Sequence, residues 1–190
     1  MVEQVIEIAP RSNNKDQPAL EPSLSDLVSD ARLGNRMAFG ELYRRFARMV
    51  HGVILANAPA NVADDLVQDV FLTALNQLAN LRINQAFGDW LATIARNRAI
   101  DYNRQSKKVL ELAQKPISTN TSKLEATAIL AVIHSLPDCY REPLVLRLVE
   151  GMTGPEIAEQ TGLTPDSVRV NLHRGMKLLR SKLEERDNNE

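Results

Sequence analysis

The chain has 190 residues, of which 44% are hydrophobic and 4% aromatic, and its formal net charge is −1. This length suits one ordinary domain or two small ones, and the composition predicts a core of aliphatic helix contacts. Glycine is sparse and no stretch alternates apolar with polar residues, so the expected fold class is all-α. A single cysteine, Cys139, excludes a disulfide framework and a cysteine-based zinc cluster. The N-terminal residues, with Glu3, Glu7 and no long apolar core, are not expected to be a signal peptide, and no stretch approaches a membrane span; this predicts a cytoplasmic protein with no direct membrane insertion.

The first half of the chain is predicted to be a mobile extension followed by a helical domain. Residues 1–23 contain three prolines and a polar run, which is typical of an extension. Helical periodicity begins at Leu24 and is interrupted at Gly34 and Asn35. Asn61 is a candidate N-cap for the next helix, and another helix should begin near Phe87.

Two small helical domains joined by a flexible linker are the expected architecture. Apolar periodicity weakens after Gln105, and the following segment is rich in Ser, Thr, Asn and Pro. The first domain is therefore predicted at residues 24–106, the linker at 107–124 and the second domain at 125–183. Residues 184–190 are expected to form a C-terminal tail.

The second domain carries the signature of a helix-turn-helix. Thr153 and Glu156 form a capping-box pattern, Pro155 lies in the first turn, and Gly162 lies where the turn needs a positive φ. Thr164 then caps a second helix that carries several cations. Such a helix enters the major groove of DNA and reads base edges. The alternative is an amphipathic helix with an ordinary solvated charged face.

Charge is segregated along the chain. Residues 65–80 contain acidic side chains and neither Lys nor Arg. Residues 89–108 carry five cations and two carboxylates, and residues 165–183 carry five cations and one carboxylate. This pattern predicts DNA binding at two basic surfaces and a basic protein partner at an acidic one. For the helix after Phe87, the alternative is a salt-linked solvated helix.

Two runs of residues resemble a known family. Residues 65–71 (DLVQDVF) and 90–101 (WLATIARNRAID) resemble region two of the extracytoplasmic-function sigma factors. Leu136-Pro137, Arg141-Glu142 and the helix-turn-helix resemble their region four, so the likeness runs from about Leu24 to Leu183. The resemblance implies a transcription initiation factor that joins core RNA polymerase and directs it to particular promoters.

The resemblance also implies three sets of site residues. The set for docking on the clamp coiled coil of the largest polymerase subunit is Asp65, Gln68 and Asp69. The –10 set, in which Asn84 reads a flipped base, is Asn84, Arg96, Asn97, Asp101 and Arg104. The –35 set is Ser167, Arg169, Asn171, His173, Arg174 and Lys177. For the acidic residues, the alternatives are compensation of the helix dipole by Asp64 and Asp65 and, disfavoured because no His or further ligand is clustered there, metal binding. For Trp90 the alternative to core packing is stacking on a base, and core packing is favoured.

No catalytic residue, metal site or cofactor is expected, because no catalytic triad, glycine-rich phosphate loop or metal-ligand spacing occurs. The resemblance implies promoter DNA, core RNA polymerase and an anti-sigma factor as partners. A stand-alone helix-turn-helix regulator is the alternative function. Cys139, in an apolar context, is predicted to be packed rather than reactive.

Overall fold

The computed structural model describes residues 22–113 and 124–187, and within these ranges the chain is helical without β-strands. Its first four helices are α1 (Leu24–Arg32), α2 (Arg36–Asn57), α3 (Ala63–Gln77) and α4 (Phe87–Ala113). The next four are α5 (Leu124–His134), α6 (Asp138–Leu148), α7 (Gly154–Thr161) and α8 (Pro165–Asp187). Short 3₁₀ turns at Ala60–Val62, Leu78–Asn80 and Asn84–Ala86 join the helices of the first domain. The all-α prediction is confirmed for the described residues.

Helix α2 is the centre of the first domain. It packs against α1, α3 and α4, and its buried positions recur at helical spacing: Leu42, Phe46, Met49, Val50, Val53 and Ile54. Each such side chain contributes about 1.5–3 kcal/mol on full burial. From the neighbouring helix α4, Phe87 packs edge-on against Phe46, with ring centroids 5.2 Å apart. The predicted core role of Trp90 is confirmed, since its ring lies 5.9 Å from that of Phe87.

The helix ends in the first domain were predicted with mixed success. The interruption at Gly34 and Asn35 is confirmed: Gly34 has φ 92°, and the Asn35 side chain accepts from two backbone amides at the start of α2. Asn61 is not an N-cap, because it lies inside the 3₁₀ turn and α3 begins at Ala63 after Val62. The extra turn tightens the chain before α3 and displaces Asn61 from the capping position.

Helix α4 is longer than the sequence pattern indicated. It continues to Ala113, so the start of the predicted linker at 107 is helical. Neither proline nor glycine occurs between Gly88 and Pro116, and good helix formers fill most of residues 107–113. The remainder of the linker, residues 114–123, and the predicted N-terminal extension up to residue 21 lie outside the described residues.

The helix-turn-helix of the second domain forms as its local signals predict. The Thr153 hydroxyl accepts from the Glu156 amide, while the Glu156 carboxylate accepts from the Thr153 amide at 2.6 Å. Gly162 ends α7 in the left-handed region at φ 73°, where a glycine avoids the strain of a side chain. Thr164 accepts from the Ser167 amide at 3.2 Å and so caps α8. Val168 and Leu179 lie on the buried side of α8.

The two domains pack directly against each other. Helix α2 contacts α6, and α4 contacts α7, so the second domain lies on the first. This contact was not foreseen from the sequence.

The sequence prediction for Cys139 is also wrong, since that residue is exposed in the first turn of α6. Leu144 and Val145, five and six residues later on the same helix, occupy buried positions instead.

Candidate nucleic-acid and polymerase interfaces

The predicted polymerase-binding residues lie along one face of α3. Asp65, Gln68 and Asp69 are separated by three and four positions, which places them side by side on a helix. Asp65 and Gln68 are exposed, whereas Asp69 is half-buried and forms an ion pair with Arg98 of α4. Leu72, 59% exposed, continues the same face one turn later and was missed from sequence. An acidic face with an exposed leucine beside it suits a partner that offers both cations and apolar surface.

The predicted –10 residues on α4 differ in accessibility. Arg104 is exposed and lies 3.6 Å from Asp101, and Asn97 is also exposed. Arg96 is different: its Nε and Nη2 donate to the two carboxylate oxygens of Glu142, at 2.8 and 2.7 Å. This bidentate bond raises the pKa of Arg96, and burial opposes the rise. The structure therefore groups Asn97, Asp101 and Arg104 on an open face, while Arg96 is engaged with the second domain.

The Asn84 side chain is held by α1. Its Nδ2 donates to the Ser25 carbonyl at 3.1 Å and to the Ser29 hydroxyl at 2.8 Å, and its Oδ1 accepts from Arg32 at 3.0 Å. The same Arg32 guanidinium also donates to the Leu81 carbonyl at 2.7 Å, so it binds two points of the segment that leads into α4. To donate to a base, the Asn84 Nδ2 would have to leave these partners, whereas its Oδ1 has a second acceptor site. Sequence reasoning missed this network because its members are more than 45 residues apart.

The predicted –35 residues surround the outer side of α8. His173, Arg174 and Lys177 are exposed near the middle of that side, together with Val170, which is 38% exposed. Arg169 and Asn171 lie on its opposite edges, because residues two apart on a helix project about 160° from each other. Arg169 also pairs with Asp166 at 3.2 Å, and Ser167 is half-buried beside Thr164, whose hydroxyl donates to it at 2.8 Å. Arg174 and its neighbours thus form the centre of a basic surface, with Arg169 and Asn171 at its margins.

A groove of about 690 Å³ runs between α6 and α8. Apolar side chains of Leu148, Leu172 and Met176 line it, and His173, Lys177 and Arg180 supply its basic rim. His173 and Lys177 therefore border this groove as well as the outer side of α8.

Within residues 22–113 and 124–187, no group of three or more His, Cys, Asp or Glu side chains is placed to hold a metal ion. No helix in the described part of the chain is long and apolar enough to cross a membrane.

Family models match both halves of the chain. The model "Sigma-70 region 2" matches residues 42–109, and "Sigma-70, region 4" matches residues 126–179. The match of the first half to region 2 disfavours the stand-alone regulator, whose first domain would be of another kind.

Curated relatives agree with the family models. RNA polymerase sigma factor CarQ of Myxococcus xanthus is 32% identical over 164 residues, which cover 81% of this chain and 94% of CarQ. RNA polymerase sigma factor CnrH of Cupriavidus metallidurans is 30% identical, covering 83% of this chain and 93% of CnrH. The chain covers 64% of the ECF RNA polymerase sigma factor BldN of Streptomyces coelicolor, at 27% identity.

Two solved structures share the fold. The structure of CnrH in complex with the cytosolic domain of CnrY has a TM-score of 0.58 at 28% identity, covering 85% of this chain and 97% of that one. The sigma factor RpoE of Bartonella quintana in complex with the anti-sigma factor NepR has a TM-score of 0.53 at 18% identity, covering 76% and 95%. With both regions present in order and full-length relatives of the same kind, the chain belongs to the extracytoplasmic-function RNA polymerase sigma factors.

Proposed function

We propose that this chain binds core RNA polymerase and directs it to promoters, holding the –10 element with its first domain and the –35 element with its second. The observation that carries the proposal is the presence, in one chain, of an exposed acidic face on α3 and of basic helices in two separate domains. The domain limits proposed from sequence, 24–106 and 125–183, place α3 and most of α4 in the first domain and the helix-turn-helix in the second.

Polymerase docking is assigned to Asp65, Gln68 and Asp69. Support comes from the exposure of the first two and from the leucine that continues their face. The partner we propose is the clamp coiled coil of the largest polymerase subunit, to which an acidic face would be complementary.

Capture of the melted –10 strand is assigned to α4 and the loop before it. Asn97, Asp101 and Arg104 offer amide and charged groups on an open helical face, and Arg96 would join them when released from Glu142. Asn84 is the proposed reader of the flipped base. Extrusion of a base costs a few kcal/mol, which contacts in the loop would have to offset.

Reading of the –35 duplex is assigned to α8. Arg174 lies at the centre of its exposed side, where a guanidinium can bond two acceptors of a guanine in the major groove. Arg169, Asn171 and His173 would contact other bases, and Ser167 and Lys177 would contact phosphates.

An anti-sigma factor is the further partner we propose. It is supported by the solved relatives, of which RpoE is held by the anti-sigma factor NepR and CnrH by the cytosolic domain of CnrY. The groove between α6 and α8, apolar within and basic at the rim, is one surface that such a partner could cover.

Run-off transcription with purified core polymerase tests the assignment. The chain should confer start-site selection on the core enzyme, and Asp65→Lys should weaken core binding at least about tenfold because it reverses a charge at the interface. Asp30→Lys, an exposed reversal on α1, is the matched control and should leave core binding unchanged. A chain that binds an operator tightly without polymerase and confers no start site would be a conventional regulator instead.

A gel shift of the holoenzyme on a promoter tests the reading helix. Arg174→Ala should weaken promoter binding by about 1–3 kcal/mol if the side chain reads a guanine. Lys182→Ala removes an exposed cation about 12 Å further along the same helix and should have a smaller effect. Equal losses in the two variants would mean that Arg174 acts only as a positive charge.

A further inference from the structure

The groove between α6 and α8 exposes grouped apolar side chains to solvent. Leu148, Leu172 and Met176 line its interior, and 44% of Leu148 is exposed. Apolar side chains grouped at a surface are stabilised when another apolar surface covers them. The groove is therefore a docking surface for a segment with apolar side chains.

The α8 wall of this groove carries basic side chains without partners. His173, Lys177 and Arg180 lie along it at helical spacing. Neither Lys177 nor Arg180 forms a hydrogen bond or an ion pair with any residue that the structure describes. Among the described residues that line the groove, Glu184 alone carries a carboxylate. The occupant of the groove should therefore carry negative charge beside its apolar side chains.

The first residues of the chain have this combination of side chains. Residues 2–9 (VEQVIEIA) precede the part that the structure describes, and in them Val2, Val5 and Ile6 have helical spacing. On a helix of this sequence, Glu3 and Glu7 would project about 100–140° from Val2, so both carboxylates would lie on one flank of the apolar face. The unpartnered cations of the groove likewise lie on one wall.

The described chain begins close enough to the groove for these residues to reach it. Arg45 of α2 donates to the Pro22 carbonyl at 3.0 Å. One turn further along α2, Arg48 donates to the Glu150 carbonyl, just beyond the α6 end of the groove. Two arginine side chains, one turn of α2 and a short piece of backbone thus separate Pro22 from the groove. Residues 10–21 can extend over roughly 40 Å, which exceeds this path.

We propose that residues 2–9 dock in the groove between α6 and α8 of the same chain, with their apolar side chains inside it and their carboxylates towards the α8 wall. A segment joined by a linker of this length has an effective concentration of about a millimolar, so docking with a dissociation constant below that value keeps the groove mostly occupied. A foreign partner of the groove must then displace the segment. Docking itself does not rest on the proposed function; the identity of the displacing partner, an anti-sigma factor, does.

Photocrosslinking in the full chain tests the docking. Benzoylphenylalanine in place of Ile6 should crosslink to the α6 and α8 segments that line the groove, identified by mass spectrometry of the monomer band. Arg180→Glu places a carboxylate on the wall that receives Glu7 and should lower the yield about fivefold, and adding Glu7→Arg should restore it. Lys182→Glu, an exposed change on the same helix but outside the groove, is the matched control and should leave the yield unchanged.

A synthetic peptide with the sequence of residues 1–10 gives a second measurement. In a full-length variant with Val5→Ser and Ile6→Ser, the segment has lost the apolar side chains that hold it, so the groove should be free. Fluorescence anisotropy should show that this variant binds the labelled peptide at least about tenfold more tightly than the wild type does, because the tethered segment no longer competes.

Three results would overturn the proposal. Crosslinks to other surfaces, or a yield that does not depend on Arg180, would contradict docking in this groove. A crosslinked dimer in place of the monomer would assign the groove to the segment of a second copy. Equal peptide affinities for the wild type and the doubly substituted variant would show that the groove is not occupied within one chain. None of these measurements involves polymerase or DNA, so their failure leaves the proposed function standing.

Discussion

Individual side chains in this protein carry more than one contact, and Asn84 is an example. Its amide joins the loop before α4 to Ser25 and Ser29 of α1, while Arg32 binds its carbonyl oxygen. The residue assigned to base reading therefore also positions the loop.

Asn84→Ala tests the positioning role. It leaves Ser29 and Arg32 without their amide partner, which should lower the free energy of unfolding by about 1–3 kcal/mol. Urea denaturation measures the loss, and Ser29→Ala, which removes the hydroxyl that accepts from the Asn84 amide, should reproduce part of it. If Ser29→Ala is as stable as the wild type, this hydrogen bond contributes little.

The His51–Glu150 pair predicts a pH dependence. His51 Nδ1 of α2 donates to the Glu150 carboxylate at 2.6 Å. This hydrogen bond raises the pKa of His51, burial opposes the rise, and the charges of Glu150 and Asp64 add to it. Arg48, bonded to the Glu150 carbonyl, is the cation nearby. Because the folded pKa is the higher one, this stabilisation is complete below the ordinary histidine value of about 6.5 and is lost as pH rises through the raised value.

Thermal unfolding between about pH 6 and pH 9 measures this effect. The wild type should lose stability relative to His51→Gln as pH rises, since the variant has no proton to release at this site. Parallel pH profiles for the two proteins would contradict the assignment.

At the scale of elements, the second domain was predictable because its signals are local. Thr153 with Glu156, Pro155, Gly162 and Thr164 each act within three or four residues, so the sequence alone places both helices of the motif. Asn61 shows where local reasoning fails, because a 3₁₀ turn intervenes between it and α3.

The site was predictable only in part. The helical faces that carry Asp65, Gln68 and Arg174 follow from spacing. The pairing of Arg96 with Glu142 joins residues 46 apart in the chain, and that of His51 with Glu150 joins residues 99 apart. Such partners depend on how whole helices pack, which no local pattern encodes.

Thr153→Ala tests the cap of the first helix in the motif. Loss of a threonine N-cap should destabilise the second domain by about 1 kcal/mol, within a range of roughly 0.5–2 kcal/mol. Chemical denaturation followed by circular dichroism gives the value, and Thr93→Ala in mid-helix α4, whose hydroxyl bonds only the Asp89 carbonyl, is the control. Equal losses of unfolding free energy in Thr153→Ala and Thr93→Ala would show that the N-cap contributes no more than an ordinary threonine hydroxyl in a helix.

For the whole molecule, helix α6 predicts how cooperatively the domains unfold, because its Leu144 lies against Gly175 of α8 and its Leu146 against Gly52 of α2. Leu144→Ala removes packing inside the second domain, whereas Leu146→Ala removes packing between the domains. Each should cost about 2–5 kcal/mol if the site cannot collapse. Leu146→Ala should separate thermal unfolding into two calorimetric transitions, and Leu144→Ala should lower the stability of the second domain itself. A single transition in Leu146→Ala would mean that the domains remain coupled by other contacts.

The ion pair between Asp69 and Arg98 links the two sides of the first domain. Asp69 belongs to the face assigned to polymerase, and Arg98 to the helix assigned to the DNA strand. If a cation of polymerase forms an ion pair with the Asp69 carboxylate, the Arg98 guanidinium loses that partner and can bind a DNA phosphate. Binding of polymerase then raises the affinity for the DNA strand, and by thermodynamic linkage binding of the strand raises the affinity for polymerase by the same factor. Asp69→Asn should accordingly tighten single-strand binding by the isolated chain, measured by fluorescence anisotropy, even as it weakens the hold on the enzyme.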